Sequence, residues 1–371
     1  MPPVGVSVVV PTFREAENLP RLVPQVAAAL ETAGWRWEII VVDDNSPDNT
    51  PAVLAQLAGQ WPQFRYLIRK TVRGLSSAVL VGMAEARYDY LLIMDADLSH
   101  PPESIPALLD PLLHGQADFT IGSRYVAGGR TEDWGSFRWL NSAVATMLSR
   151  PFAHGVRDPM AGFFALPRRL YLAADQLNPI GYKIALELMV KCRVSKIIEV
   201  PIVFRNRLHG ESKLTLREQW KYLEHLSRLY DYQFPIAAAQ IKFLFAALGS
   251  AVVGLIFFVL GHTLAGLPFL PALAASLLGM IAVALLFFIH DIRTRKSDFI
   301  IRHSYAKFTI TCMLELAAGG VGGVLAAPRT GSYRAALIAI VIMLVSRYLM
   351  QKIMNYNPHA PRRQPPQPSP K

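Results

Sequence analysis

The sequence predicts an α/β catalytic domain built on a mostly parallel sheet, followed by an all-α domain that crosses a membrane several times. Two observations indicate this architecture. In residues 1–233, short apolar runs alternate with helical patterns, as is typical of parallel strands covered by helices on both faces. From Phe234 onward, the composition changes to long apolar stretches, each long enough to cross a bilayer.

Five strands and four helices are predicted in the first domain. The strands are expected at Val6–Val10, Glu38–Val42, Phe64–Ile68, Tyr90–Met94 and Asp118–Ile121. The helices are expected at Asn18–Thr32, Pro51–Gly59, Ser76–Ala86 and Pro102–Leu113. Polar residues follow the first, second and fourth strands. Because ligands of such sheets bind beyond the carboxyl ends of the strands, we expect the functional site at that edge.

The second domain, residues 234–356, contains four candidate membrane spans. They are Phe243–Gly261, Leu264–Ile289, Phe308–Ala327 and Ala335–Met354. The third and fourth each have one charged residue in their interior, Glu315 and Arg347. A rise of 1.5 Å per residue puts these two charges at similar depth, so we expect them to pair. The alternative is that Arg347 reaches the headgroups and Glu315 is protonated. Gly319 and Gly323 have the spacing of a close helix–helix contact.

The net charge of +11 does not indicate nucleic-acid binding, because its densest basic run, Arg293–Lys296, lies between two candidate spans. The chain begins with a strand pattern and not with a cleavable signal, so the catalytic domain is expected in the cytoplasm. The link Gly261–Thr263 has no Lys or Arg, whereas His290–Lys307 and the tail are basic. The positive-inside rule therefore places both termini in the cytoplasm. The Pro-rich tail, residues 357–371, is expected to be disordered.

Asp95 and Asp97 form a D-x-D motif at the end of the fourth strand. In extended backbone both carboxylates point the same way and can reach one cation. Carboxylate oxygens suit Mg²⁺ or Mn²⁺, which in proteins commonly also hold substrate phosphates. The alternative is a pair of solvated turn aspartates, since a lone D-x-D is a weak signal.

Three other polar segments are candidates for the site. The run Asp43–Asp48 follows the second strand and is equally explained as a helix cap. Arg138 and Ser142 would share one face of a helix, and these and Arg124 suit a phosphate ligand, although surface arginines are common. The basic run Arg205–Lys213 is either a flap over a diphosphate or a solvated loop beside the membrane.

Five motifs in order resemble one family. They are Pro11-Thr-Phe-Arg-Glu-Ala-Glu-Asn-Leu19, Val41-Val-Asp-Asp-Asn-Ser-Pro-Asp48, Asp95-Ala-Asp-Leu-Ser-His-Pro-Pro-Glu103, Gly122-Ser-Arg-Tyr125 and Gly210-Glu-Ser-Lys-Leu214. Together they resemble dolichyl-phosphate (polyprenyl-phosphate) mannose synthases, which are inverting family-2 glycosyltransferases with a GT-A fold. The resemblance covers about the first 230 residues. The four-helix domain looks like the membrane domain attached to some members.

This resemblance implies roles for individual residues. Nucleotide-sugar binding is implied for Pro11, Phe13, Glu15, Val42, Asp44, Asp95, Ala96, Asp97, Arg207 and Lys213. Metal binding is implied for Asp95, Asp97 and Ser99, and acceptor-phosphate binding for Arg124, Arg138 and Ser142. The catalytic set is Asp97, Arg124, Arg207 and Lys213. Ser99 stands where the family commonly has Gln, and a water is the alternative third metal ligand.

The expected reaction is transfer of mannose from GDP-mannose to dolichyl or polyprenyl phosphate, with inversion. A phosphate monoester is largely dianionic at neutral pH and needs little help from a general base. UDP-glucose is the alternative donor. A polysaccharide synthase is less favoured, because Gly135-Ser-Phe-Arg-Trp139 lacks the Gln of the Gln-x-x-Arg-Trp motif. A transporter would leave the first domain without a role. Helix Leu214–Tyr230 looks amphipathic and is expected to lie on the membrane surface.

Overall fold

The computed structural model describes residues 4–71, 73–131, 144–153, 155–174, 177–205, 216–295 and 298–353. It divides into two units, one ending at Leu229 and the other beginning at Tyr230. The division lies close to the change of composition at Phe234.

The first unit is built on a seven-stranded sheet with the order β3-β2-β1-β4-β7-β5-β8. Its strands are β1 Gly5–Thr12, β2 Arg36–Asp43, β3 Phe64–Ile68, β4 Tyr90–Ile93, β5 Phe119–Ser123, β7 Phe164–Pro167 and β8 Ile197–Pro201. Two short strands, β6 Arg130–Thr131 and β9 Val203–Phe204, form a separate parallel pair. Only β7 runs antiparallel to its neighbours in the large sheet, so the prediction of a mostly parallel sheet is confirmed.

Seven helices with described bounds belong to or begin in this unit, and residues 144–149 are helical as well. They are α1 Leu19–Thr32, α2 Thr50–Gln60, α3 Leu75–Glu85, α4 Ile105–Leu113, α5 Arg168–Leu172, α6 Ile184–Lys191 and α7 Leu216–Gln233. A 3-10 turn at Pro102–Ser104 precedes α4, so the predicted helix Pro102–Leu113 has two parts. The apolar residues of α1 and α4 belong to one buried cluster with the inward residues of β1 and β2, each of which is at most 4% exposed.

The strand order brings the polar segments together. β1 lies between β2 and β4, with Thr12 opposite Asp43 in the β1–β2 register. Carboxyl ends of neighbouring parallel strands meet at one edge of a sheet, and so the segments after these three strands converge there.

The described part of the second unit contains four long helices. They are α8 Pro235–Val259, α9 Phe269–Arg295, α10 Asp298–Thr330 and α11 Ser332–Ile353. Each contains a stretch long and apolar enough to cross a membrane, with mean hydropathy of 2.6, 2.4, 1.7 and 1.7 in chain order. These helices indicate a membrane protein with four spans.

Both predicted links between spans differ from the structure. Gly261–Thr263 belongs to a π-helical turn that continues α8, and the true break lies at 265–268, where Gly266 has φ +63° and Pro268 precedes α9. His290–Lys307, which we expect to link the second and third spans, is largely helical in its described residues, since α9 continues to Arg295 and α10 begins at Asp298. Lys and Arg are good helix formers, so the basic residues between the second and third spans do not end the helix. They show only where the apolar stretch ends.

The predicted pair between Glu315 and Arg347 is confirmed. The Arg347 guanidinium donates from Nε to both Glu315 carboxylate oxygens at 3.0 Å and from Nη2 to Oε2 at 2.7 Å. It also donates from Nη1 to Ser250 Oγ on α8, at 3.2 Å. Arg347 is 9% exposed, so the alternative in which it reaches the headgroups is wrong.

The predicted glycine contact is also confirmed. A Cβ at Gly319 would lie 3.2 Å from the Ala339 carbonyl oxygen of α11, and one at Gly323 would lie 3.0 Å from Ala339 Cβ. The missing side chains let the backbones of α10 and α11 approach closely.

Candidate active site

A cavity of about 1060 Å³ opens at the carboxyl edge of the sheet in the first unit. Most of the predicted site residues that the structure describes are on its wall. These are Pro11, Phe13, Glu15, Asp44, Asp95, Ala96, Asp97 and Arg124. Sequence patterns from four separate segments therefore meet at one site.

The D-x-D motif lies just beyond the strand and leads into a bend at 96–98. β4 ends at Ile93, and Leu98 has φ +61°, a left-handed conformation that turns the chain back. The Ser99 N–H donates to Asp97 Oδ1 at 3.1 Å and closes this turn. Both aspartates nevertheless line the cavity.

The residues of this turn fit a divalent cation. Asp95 and Asp97 supply hard carboxylate oxygens, and Mg²⁺ in proteins is often held by one or two carboxylates together with waters and substrate phosphates. Within the described ranges, no cluster of three His, Cys, Asp or Glu residues suits a metal. Ser99 is fully buried and absent from the cavity wall, and its Oγ has no hydrogen-bond partner among the described residues.

His100 holds the backbone of the D-x-D motif through a hydrogen bond. Its Nδ1 accepts a hydrogen bond from the Asp95 N–H at 3.1 Å, so its proton is on Nε2 in the neutral ring. The ring stacks on Phe163 at 5.2 Å between centroids and meets the edge of Phe204 at 5.5 Å. Burial lowers the pKa of His100 although the charges of Asp95 and Asp97 act to raise it. The ring is therefore a neutral acceptor that fixes the backbone of Asp95.

Gly162 makes room for the carboxylate of Asp95. A Cβ at this position would lie 3.3 Å from Asp95 Oδ2 and 3.3 Å from His100 Cε1. Any larger residue would press on both groups. The segment before β7 therefore forms the wall behind the D-x-D turn.

Asp44 binds the loop that precedes α3. Its Oδ1 accepts hydrogen bonds from Arg69, one of them from Nε at 2.8 Å, and its Oδ2 accepts the Gly74 N–H at 2.6 Å. Gly74 has φ +135°, a conformation that favours glycine. Asp44 therefore shapes the cavity wall beside Pro11 and Phe13, in addition to any contact it makes with a ligand.

Arg124 has a buried carboxylate partner that the sequence analysis did not identify. Its Nε and Nη2 each donate to the Asp158 carboxylate at 2.7 Å, and Asp158 is 0% exposed. The Asp158 N–H in turn donates to Glu199 Oε1 on β8 at 2.9 Å. The rings of Tyr125 and Phe204 lie 5.2 Å and 5.4 Å from the guanidinium carbon. These contacts fix the plane of the guanidinium at the cavity wall.

The remaining predicted site residues are either away from the cavity wall or outside the described ranges. Val42 is buried in β2 and absent from the cavity wall, and a Cβ at Gly82 of α3 would lie 3.2 Å from its Cγ2. The predicted roles of Arg138, Ser142, Arg207 and Lys213 concern residues outside the described ranges.

Three residues of the site are not predicted from the sequence: His100, Asp158 and Gly162. His100 lies inside the recognised Asp95–Glu103 motif, so its position gave an available signal. The other two follow no recognised spacing, because their contacts with the site come from distant parts of the chain.

Comparison with known proteins places the chain in a class. Residues 7–172 match the family model described as glycosyl transferase family 2. Residues 7–172 therefore form a family-2 glycosyltransferase domain with a GT-A-like, mostly parallel sheet.

Three relatives identify the family within this class of glycosyltransferases. Each is called dolichol-phosphate mannosyltransferase, and they are 44% identical over 231 residues in Pyrococcus furiosus, 42% over 253 in Mycosarcoma maydis and 40% over 237 in Saccharomyces cerevisiae. The alignments cover 62%, 65% and 62% of this chain and 64%, 85% and 88% of the relatives. The chain belongs to the dolichol-phosphate mannosyltransferase family, and it spans 64% of the length of the Pyrococcus furiosus relative.

Solved structures are more distant. Glucosyl-3-phosphoglycerate synthase from Mycobacterium tuberculosis, in complex with Mn²⁺, UDP-glucose and phosphoglyceric acid, is 20% identical with a TM-score of 0.45, covering 62% of this chain and 79% of that one. Mannosyl-3-phosphoglycerate synthase from Rubrobacter xylanophilus is 21% identical with a TM-score of 0.47, covering 61% and 74%.

Proposed function

We propose that the protein transfers mannose from GDP-mannose to dolichyl or polyprenyl phosphate, with inversion at the anomeric carbon. Membership of the dolichol-phosphate mannosyltransferase family is the observation that carries this proposal. The four apolar helices agree with it, because the acceptor is a lipid that resides in the bilayer.

The donor is proposed to bind between the ends of β1, β2 and β4. Pro11, Phe13, Glu15 and Asp44 line this part of the cavity and would contact the nucleotide. Asp95 and Asp97 would hold Mg²⁺ or Mn²⁺, which when bound offsets the negative charge of the donor diphosphate. A ligand contact from Ser99 would require its side chain to leave the buried position that it has in the structure.

The acceptor is proposed to present its phosphate to Arg124. A phosphate monoester has a second pKa near 6, so an anionic oxygen is available as the nucleophile at neutral pH without a strong base. The protein's task is then to align this oxygen with the anomeric carbon and to stabilise the departing diphosphate. Arg138 and Ser142 are proposed as further acceptor contacts, and Arg207 and Lys213 as cations near the diphosphate.

We place the catalytic unit and both termini in the cytoplasm. Basic residues cluster at the end of α9 and after α11, whereas the break at 265–268 carries no charged residue, and the positive-inside rule predicts this orientation. Helix α7 exposes Trp220 and Leu223 while Tyr222 and Leu226 are buried. An exposed Trp and Leu on an otherwise polar helix suit the membrane surface.

The test is a lipid-product assay. Membranes containing the full chain are incubated with labelled GDP-mannose or labelled UDP-glucose plus dolichyl phosphate, and the lipid fraction is extracted. We expect label in a lipid-phosphate product with GDP-mannose only. Lipid label from UDP-glucose instead would make the protein a glucosyltransferase, and label in a water-insoluble polymer would make it a polysaccharide synthase.

A further inference from the structure

Arg69 is a largely buried arginine that lies behind the cavity wall, just after β3. The β2–β3 register pairs Asp43 with Ile68 at the carboxyl ends of the two strands. The next residues, Asp44 and Arg69, therefore leave the sheet side by side, and the Arg69 N–H donates to the Asp43 carbonyl oxygen at 2.8 Å. The Arg69 side chain is 10% exposed, and it is absent from the wall that Asp44 lines.

The guanidinium of Arg69 joins the end of β2 to the start of α3. It donates from Nε and from Nη2 to Asp44 Oδ1, with a distance of 2.8 Å from Nε. Nη1 donates to Ser77 Oγ at 2.9 Å, and Nη2 also donates to the Gly74 carbonyl oxygen at 3.0 Å. Gly74 and Ser77 both line the cavity. One planar group therefore fixes a carboxylate and a loop whose positions in the chain differ by 30 residues.

The hydrogen bonds of Asp44 leave one part of its carboxylate for a ligand. An ionised carboxylate has about four acceptor positions, two on each oxygen. In the described part of the chain, Arg69 occupies both positions on Oδ1, and the Gly74 N–H occupies one position on Oδ2 at 2.6 Å. Asp44 lines the cavity, so the remaining position on Oδ2 is available to an N–H group of a nucleotide base.

Loss of Arg69 would disorder this part of the cavity wall without removing any group that lines it. The Asp44 carboxylate would keep its bond with the Gly74 N–H but lose both bonds to Oδ1, and the loop before α3 would lose two donors. A ligand would then have to order these groups as it binds, which costs affinity. The hydrogen-bond partners described for Arg69 include no residue proposed to bind the acceptor phosphate.

We propose that Arg69 is a positioning residue for the nucleotide of the donor. It holds Asp44 with Oδ2 toward the cavity and fixes Gly74 and Ser77 as the adjacent wall. Arg69 acts through these residues and does not touch the nucleotide. This inference rests on the proposed function, because it assumes that the donor is a nucleotide-diphosphate sugar.

The experiment compares Arg69→Met, Arg69→Lys and wild type, each as the full chain in lipid nanodiscs. The Kd for GDP and the Kd for UDP are measured by calorimetry in Mn²⁺, and the KM for dolichyl phosphate is measured at saturating GDP-mannose. Arg69→Met should raise the Kd for the nucleotide that wild type binds about tenfold or more. Arg69→Lys keeps the charge but not the planar set of donors, so it should restore little of this affinity. The KM for dolichyl phosphate should change less than about twofold.

Arg65→Met is the matched control. Arg65 lies on β3, binds the buried Glu38 at 3.0 Å and Glu85 at 3.2 Å, and is also absent from the cavity wall. This variant should lower the thermal stability about as much as Arg69→Met does, but leave the Kd for the nucleotide as in wild type. An unchanged Kd in Arg69→Met, or an equal rise in Arg65→Met, would overturn the inference. If Arg69→Met does not fold, Arg69→Lys takes its place, and an unchanged Kd in that variant has the same meaning.

Failure of the proposed function would have a different result. Wild type that makes no mannosyl lipid from GDP-mannose would refute that function, whereas the Kd values test Arg69 without any sugar transfer. Wild type that binds UDP and not GDP would change the donor, and the variants would then be compared by their Kd for UDP. Wild type that binds neither nucleotide would refute both proposals.

Discussion

The proposed chemistry depends on the carboxylates of Asp95 and Asp97, which would hold the divalent cation. Asp95→Asn or Asp97→Asn should lower mannose transfer at least about a hundredfold, because each removes a charged oxygen ligand whose cation supplies several kcal/mol of charge stabilisation. The measurement is the initial rate of lipid labelling at increasing Mn²⁺.

Asp110→Asn serves as the control for this test. Asp110 lies on α4 with 63% of its side chain exposed, and its loss should leave the rate unchanged. Excess chelator should stop transfer by wild type, and added Mg²⁺ or Mn²⁺ should restore it. Full transfer in excess chelator would contradict the metal assignment.

Asp158 has one clear structural role, which is to orient the guanidinium of Arg124. Asp158→Asn keeps the shape of the side chain but removes the charge that orients Arg124, so we expect the KM for dolichyl phosphate to rise about tenfold or more. The KM for GDP-mannose should change little, since the side-chain hydrogen-bond partners described for Asp158 are Arg124 and Glu199, and neither is proposed to bind the nucleotide.

The ion pair between Glu38 and Arg65 provides a control for the Asp158→Asn variant. It distinguishes the orienting effect of Asp158 on Arg124 from a general loss of stability. Glu38 is 3% exposed and accepts hydrogen bonds from Arg65 at 3.0 Å and Ser7 at 2.7 Å, away from the cavity. Glu38→Gln should lower the thermal stability as much as Asp158→Asn does but leave both KM values unchanged. A rise in the KM for dolichyl phosphate in both variants would mean that Asp158 acts only through stability.

At the scale of elements, the close approach of α10 and α11 can be tested with two neighbouring glycines. A Cβ at Gly323 would lie 2.9 Å from Leu273 Cδ2 and 3.0 Å from Ala339 Cβ, whereas one at Gly320 would meet nothing within 4 Å. Gly323→Val should therefore lower the thermal stability of the second unit by about 1–3 kcal/mol, the usual cost of overpacking. Gly320→Val should have little effect, and equal loss in both variants would argue against this helix contact.

The ion pair between the same two helices gives a separate prediction. Glu315→Gln leaves the Arg347 charge without its carboxylate and should destabilise the second unit by about 3–5 kcal/mol, as for other buried pairs that lose one partner. The exchange Glu315→Arg with Arg347→Glu should recover part of this loss in an unfolding experiment. A double exchange no better than the sum of its single changes would mean that the pair contributes nothing.

The elements found from the sequence and those missed differ in a physical way. β1 and β2 were found because continuous apolar runs are required of strands buried on both faces. The pair Glu315–Arg347 was found because helix rise converts sequence position into depth. The antiparallel direction of β7 was not predicted, because nothing in its four residues indicates which way the strand runs. The contact between Asp158 and Arg124 was not predicted either, because it joins positions 34 residues apart. Such contacts depend on tertiary packing, which local patterns do not encode.

For the whole molecule, the testable property is its orientation in the membrane. In a variant lacking Cys192 and Cys312, Ala265→Cys should react with an impermeant thiol reagent added to intact cells, because residue 265 is exposed in the break that we place outside. Thr263 is less suitable as the labelled position, since its hydroxyl contacts the Tyr333 hydroxyl at 2.8 Å.

The control for labelling is Ser250→Cys, a fully buried position on α8 that should stay unmodified. Reaction of Ala265→Cys only after cell lysis would reverse the proposed orientation.

The turn between α10 and α11 has a consequence for biogenesis. α10 ends at Thr330 and α11 begins at Ser332, so only Gly331, with φ +79°, separates the two helices. An arginine alone at the centre of a bilayer costs about 2.5–3.5 kcal/mol on insertion scales, and a lone carboxylate is similarly unfavourable. A ribosome that released these helices to the translocon one at a time would expose each charge to lipid. The two helices should therefore enter the bilayer as a single hairpin, with Glu315 and Arg347 already joined.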